Sequence, residues 1–171
     1  MKASSTSVPG TSASGFTLTE LLMVLAVVGI LTMIALPNLK SLSQSQRVKN
    51  ASYELFSGLS LTRNEAIKRN SDVTLTATMN AKNEVSWVIT AAPVPPATLP
   101  TTIRTKDYIS GVAMTVTGLP GTQVVYHRNG RPANTATFQI DAAGVTTPTE
   151  FVRCVTIELS GMPRVRQGTC T

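Results

Sequence analysis

Residues 16–36 constrain this chain more than any other stretch. They open Phe16-Thr17-Leu18-Thr19-Glu20-Leu21-Leu22 and continue apolar to Leu36, with Glu20 as the only ionisable side chain. At a rise of ~1.5 Å per residue, such a run is about long enough for a bilayer core of roughly 30 Å. It predicts a membrane-inserted helix. A carboxylate at the centre of a span costs roughly 2.5 to 3.5 kcal/mol on insertion scales, so Glu20 needs a partner and a purpose.

The order of the segments narrows the reading. An ordinary secretory signal is cut after its apolar stretch, but here the polar residues 1–14, with Lys2 as their only charge, lead into Gly15 ahead of that stretch. A cut after Gly15 would leave the apolar helix on the mature protein. Taken alone, the apolar residues also fit a plain single-pass anchor with an unprocessed N-terminus. With Gly15 directly before Phe16 and Glu20 four residues on, the stretch resembles the class III leader and N-terminus of type IV pilins and type II secretion pseudopilins. That resemblance implies cleavage between Gly15 and Phe16 by a prepilin peptidase, N-methylation of Phe16, and Glu20 as the carboxylate kept for assembly. Thr19 stands where Ile or Val is usual, a mild departure because a helical threonine can bond its hydroxyl to a backbone carbonyl.

Helical periodicity resumes beyond the apolar run. Val48, Ala51, Leu55, Leu59, Thr62 and Ala66 recur at spacings of three and four, and Phe56 and Ile67 widen the stripe. Lys49, Asn50, Ser57, Arg63, Asn64 and Lys68 supply a solvated polar face. Pro37 predicts a kink and not a stop, since it lacks a donor and clashes with the carbonyl one turn back while the pattern continues past it. The helix is expected over residues 16–69, ending at Asn70-Ser71. Within it, Leu61-Thr62-Arg63-Asn64-Glu65-Ala66-Ile67-Lys68-Arg69 is similar to a segment of the GspH, FimT and FimU group of minor pilins and pseudopilins. Glu65 can pair with Arg69 and Lys68 on that face.

From Asp72 the period changes to two. Residues 73–79 and 84–90 read as a hairpin beside the helix, with Trp87 as a core side chain. Four prolines keep 91–100 out of a central strand and make it an extended loop, a place for partner specificity or a simple insertion. Further strands are expected at 102–108, 112–117, 123–127, 137–141 and 151–159, separated by glycine turns that include Arg128-Asn129-Gly130-Arg131. The expected fold is α+β and pilin-like: a leader over 1–15, a hydrophobic membrane and assembly helix over 16–40, and a periplasmic domain over 41–171 in which the rest of the helix packs on antiparallel sheet.

Charged residues make up only 14% of the chain at a net charge of +6, which suits an extracytoplasmic β domain better than a nucleic-acid enzyme dense in lysine and arginine. The two cysteines, Cys154 and Cys170, are expected to form a disulfide in an oxidising periplasm. A zinc site is disfavoured, because the single histidine, His127, comes without a second pair of soft ligands. His127 reads as an exposed strand-end residue, and no catalytic constellation, metal site or cofactor loop is legible.

Arg164 and Arg166 stand two apart on an extended segment and so project to one side, with Arg153 and Arg131 as candidate neighbours. Ser160-Gly161-Met162-Pro163-Arg164-Val165-Arg166 partly resembles the Gly-Arg-x-Arg motif of DNA-binding FimT pilins. The competing reading is an edge strand guarded by charge. The leading expectation is a minor pilin that primes a type IV pilus and sits near its tip, held by helix bundling to other subunits after release from the inner membrane. The alternatives are a DNA-binding minor pilin for natural transformation and a type II secretion pseudopilin.

Overall fold

The structure, a computed structural model, describes residues 15–82, 84–144 and 151–170. Except for Gly15, the expected leader lies outside the described residues. The chain divides into two compact units, Met1–Lys40 and Ser41–Thr171.

One helix, α1, runs Leu18–Arg69. In the first unit, every described large apolar side chain from Leu18 to Met33 is exposed, Leu25 at 57% and Met33 at 79%. Among the described residues no helix is both long and apolar enough to cross a membrane. The apolar run continues past Met33 into residues 34–38, whose side chains lie outside the description. The backbone is helical through Pro37, so the proline does not end α1; the expected kink falls among those same residues.

In the second unit α1 presents the predicted stripe: Val48, Ala51, Leu55, Leu59, Thr62 and Ala66 are all buried. The Thr62 hydroxyl is satisfied by the Gly58 carbonyl at 2.7 Å, and Ser52, buried but absent from the predicted stripe, donates to the Lys49 carbonyl at 2.7 Å. Ile67 departs from expectation. It is 46% exposed, because one residue beyond Ala66 is ~100° of helix rotation away from the stripe. Asn70 adopts a left-handed φ of 49° and the Ser71 amide returns to the Ala66 carbonyl at 3.3 Å, a left-handed cap that ends the helix where the polar residues begin.

Two antiparallel four-stranded sheets follow. The strands are β1 (Val73–Met79), β2 (Val85–Ala91), β3 (Thr101–Lys106), β4 (Val112–Thr117), β5 (Gln123–Tyr126), β6 (Ala136–Ala142), β7 (Arg153–Ile157) and β8 (Pro163–Gln167). The first sheet has the order β3-β2-β1-β5 and the second β4-β6-β7-β8. The predicted first hairpin forms with Val73 opposite Ala91 and Met79 opposite Val85. β7 is shorter than expected, because Glu158, Leu159 and Ser160 turn toward Gly161, whose φ of 80° reverses the chain.

Strand alternation sends one face inward. Leu75, Ile89, Val112, Phe138, Ile140, Val155 and Ile157 join the α1 stripe in a single core. Trp87 is buried there as predicted. The two sheets are tied by Glu84: its Oε1 accepts the Gly111 amide at 3.1 Å and Oε2 accepts the Asn80 side-chain amide at 2.9 Å. The Asn80 side chain, followed by the Gly111 amide, holds the Glu84 carboxyl below the usual carboxylate range.

Candidate functional site

At the start of α1, Thr17 and Glu20 cap each other. The Thr17 amide donates to Glu20 Oε2 at 3.1 Å, and the Glu20 amide donates to Thr17 Oγ1 at 3.3 Å. The Thr17 hydroxyl also donates to Glu20 Oε2 at 3.0 Å. This is a capping box, legible as Thr-x-x-Glu in the sequence but not among the expectations set on Glu20. Thr19 meets the Thr17 hydroxyl at 3.1 Å rather than a carbonyl; on the same apolar stretch Thr32 does bond back to a carbonyl, that of Gly29 at 2.8 Å. The described apolar residues that follow offer Glu20 no other partner.

The C-terminal hairpin is the second candidate. Cys154 and Cys170 are disulfide-bonded, bracketing β7 and β8. Register places Thr117, Thr137, Thr156 and Arg164 in one row across the second sheet, and Thr115, Gln139, Cys154 and Arg166 in the next. These rows form the outward face. Arg164 and Arg166 therefore share a side, as predicted, and with the threonines they line a shallow cavity of about 440 Å³. Arg164 Nη1 lies 3.7 Å from Glu158 Oε1, while Arg166 has no partner among the described residues. The tail crosses the other end of this face, where the Cys170 amide donates to Gln139 Oε1 at 3.2 Å.

The expected neighbours of the pair are elsewhere. Arg153 pairs with Gln167 and with inward-facing Ile140, and alternation puts it on the opposite side of β7 from Cys154 and Thr156. Arg131 belongs to the turn instead, its Nε donating to the Leu159 carbonyl at 3.1 Å. β8 is an edge strand, so charge guarding remains a sufficient account of its arginines.

A third feature was not expected. Arg63 was placed on a solvated face, but it is half-buried. Its Nε donates to the Gly130 carbonyl at 3.0 Å, and its Nη1 lies 3.4 Å from Met162 Sδ. The Asn129-Gly130 turn and the β7–β8 turn touch here. A Cβ on Gly161 would sit 2.1 Å from the Gly130 oxygen, and a Cβ on Gly130 would sit 2.7 Å from Ile67 Cδ1. Tyr126 completes the junction, its buried hydroxyl donating to the Gly161 carbonyl at 3.1 Å. Burial pushes that phenol up to about 12, against the opposing influence of Arg63. The neighbouring charges behave as predicted: Arg69 Nε bonds Glu65 at 2.6 Å and Lys68 stands 3.9 Å away, with the Arg69 bond holding the Glu65 carboxyl below its usual range.

His127 is exposed at the end of β5, its Nδ1 3.2 Å from Asp72 Oδ2. Among the described residues no group of three or more metal-ligating side chains converges.

A family model described as "Type II transport protein GspH" matches residues 51–161. The match includes Arg63, Gly130 and Gly161 and excludes Glu20, Arg164 and Arg166. Among solved structures, the type IV minor pilin FimU of Pseudomonas aeruginosa superposes with a TM-score of 0.55 at 16% identity, covering 75% of this chain and 92% of FimU. The minor pseudopilin EpsH of the Vibrio cholerae type 2 secretion system gives 0.54 at 16% identity, covering 71% of this chain and 97% of EpsH. These likenesses show a shared fold. No curated protein sequence matches the chain.

Proposed function

From the premise that this chain belongs to the GspH family, we propose that it is a minor pilin that primes assembly of a type IV pilus and sits at or near its tip. Its role is structural and not catalytic. The observation that carries the reading is the first part of α1, where apolar side chains are exposed and one carboxylate stands among them. Such a surface has two stable settings, the lipid of the inner membrane before assembly and a bundle of like helices afterwards.

In this reading a prepilin peptidase cuts after Gly15, Phe16 becomes the methylated terminus, and the domain from residue 41 onward faces the periplasm. Glu20 then offsets the ammonium of Phe16, on the same or a neighbouring subunit. Within a low-dielectric bundle the pair attracts, and an unpaired member is costly. Glu20→Ala should leave cleavage intact, read as the mass of the mature N-terminus, and lower incorporation into filaments about 100-fold, equivalent to roughly 3 kcal/mol. Glu20→Gln separates charge from capping, because glutamine still closes a capping box. It should fail like alanine. Filaments that accept either variant as readily as the wild type would sink the assembly role.

The alternative filament is a type II secretion pseudopilus. A deletion strain distinguishes them, losing surface pili in one case and exoprotein release in the other. A second reading, DNA capture during uptake, is favoured by Arg164 and Arg166, exposed on one face and lining the same cavity. Guanidinium groups suit phosphate, and so few contacts give salt-sensitive binding. In a gel-shift titration, Arg164→Gln with Arg166→Gln should abolish retention at low salt; equal retention removes this reading.

A further inference from the structure

Where α1 ends, exposed apolar side chains from two elements gather around the Arg63 junction. Ile67 is 46% exposed on the helix, and Leu159 and Met162 are 56% and 54% exposed on the β7–β8 turn. Their proximity follows from the contacts already described: Ile67 against Gly130, Gly130 against Gly161, Met162 Sδ 3.4 Å from Arg63, and the Leu159 carbonyl 3.1 Å from Arg131. Beside Met162, a cleft of about 300 Å³ is lined by Ser60, Arg63, Asn64 and Pro163.

The rim of this patch is basic on balance: Arg63 and Arg131 reach into it, and its one adjoining carboxylate, Glu158 beside Leu159, faces Arg164 at 3.7 Å. Among the described residues the Arg63 and Arg131 side chains bond only carbonyls and the Met162 sulfur. Of the nearby acids, Glu65 is paired with Arg69 and Lys68, and Glu158 stands against Arg164. The patch is also pre-formed. Arg63 holds the Gly130 carbonyl at 3.0 Å and Tyr126 the Gly161 carbonyl at 3.1 Å, and these ties set the two turns in contact before a partner arrives, which lowers the ordering cost of docking.

We propose that this face docks a different subunit of the same filament, one that presents an apolar side chain to Met162 and Ile67 inside a rim of carboxylates. The proposal rests on the filament-subunit reading. Charge complementarity chooses the occupant: acidic side chains satisfy Arg63 and Arg131, whereas a second copy offering the same face sets arginine against arginine. The apolar centre supplies affinity and the charged rim supplies partner choice.

The test uses the full-length chain in cells that carry the whole filament machinery. A photo-crosslinking benzoylphenylalanine replaces Met162 in one strain and Tyr108, an exposed residue in another part of the domain, in a control strain. The expected result is an adduct from position 162 only, joined to a peptide of another pilin-type subunit that contains Asp or Glu. In parallel, Met162→Asp and Arg131→Glu should each lower incorporation more than tenfold, while Met162→Leu retains it, with oxidation of Cys154 and Cys170 reporting that the domain has folded. A self-adduct, no adduct at 162, or full incorporation of Met162→Asp overturns the docking surface while leaving the filament reading intact. A wild-type chain absent from every filament overturns both.

Discussion

The two described stretches of α1 differ in apolar density and in pattern, and they meet opposite fates. From Leu18 to Met33 the apolar side chains surround the helix and none is covered; from Val48 to Ala66 they follow one stripe, and that stripe is buried against both sheets. The first stretch has almost no polar side chains to set a face apart, whereas polar residues on the second confine its apolar ones to a stripe. An all-round apolar surface cannot be satisfied by one sheet face, so it has to be covered by lipid or by other helices, whereas a stripe of about 100° matches what one sheet face can cover.

The strongest way to break this comparison is to remove the same side chain from each stretch. Leu55→Ala should destabilise the domain by about 2 to 5 kcal/mol in denaturant titrations, through lost burial and a residual cavity. Leu25→Ala should leave that midpoint unchanged and act only on filament incorporation. Equal effects on the domain would mean that the first stretch is covered from within the chain. Next in size is the covalent hold on the sheet. Losing the Cys154–Cys170 bridge, which spans a sequence separation of 16, should cost roughly 3 kcal/mol. The double variant Cys154→Ser, Cys170→Ser should lower the domain midpoint and leave N-terminal processing as it was.

The smallest expected effect is a pH dependence confined to the second unit. Glu84 has a folded-state pKa below its unfolded value, so it contributes stability that is fully present above the unfolded pKa and lost as pH falls through the folded one. Glu84→Gln should therefore flatten the acid limb of the stability profile while leaving the alkaline limb alone. A parallel displacement of the whole profile would assign Glu84 a packing role instead.

Much of this was legible because it rests on local repetition. The period of 3.6 marked the stripe on α1 and the period of two marked the strands, and both survive because burial enforces them at every turn. The shared side of Arg164 and Arg166 follows from the same alternation, while the Cys154–Cys170 pairing was expected from the oxidising compartment. Ile67 and Arg153 lie where helix rotation and strand alternation put them, off the faces expected of them, while Arg63 depends on what lies beside its helix, the Gly130 carbonyl. The Thr17–Glu20 box is written locally in the sequence, and it gives Glu20 a capping role beside its charge.

By itself, then, the sequence determined which surfaces this chain buries and which it must offer to another molecule, since hydrophobic patterning is written residue by residue along the chain. Tertiary structure alone decided the junction where Arg63 reaches across 67 positions of sequence to Gly130. The glycines at 130 and 161 each signal only a turn. That one must lie against the other, leaving no room for a Cβ, follows from the packing of helix and both turns together, and it is this contact that assembles the basic-rimmed apolar patch.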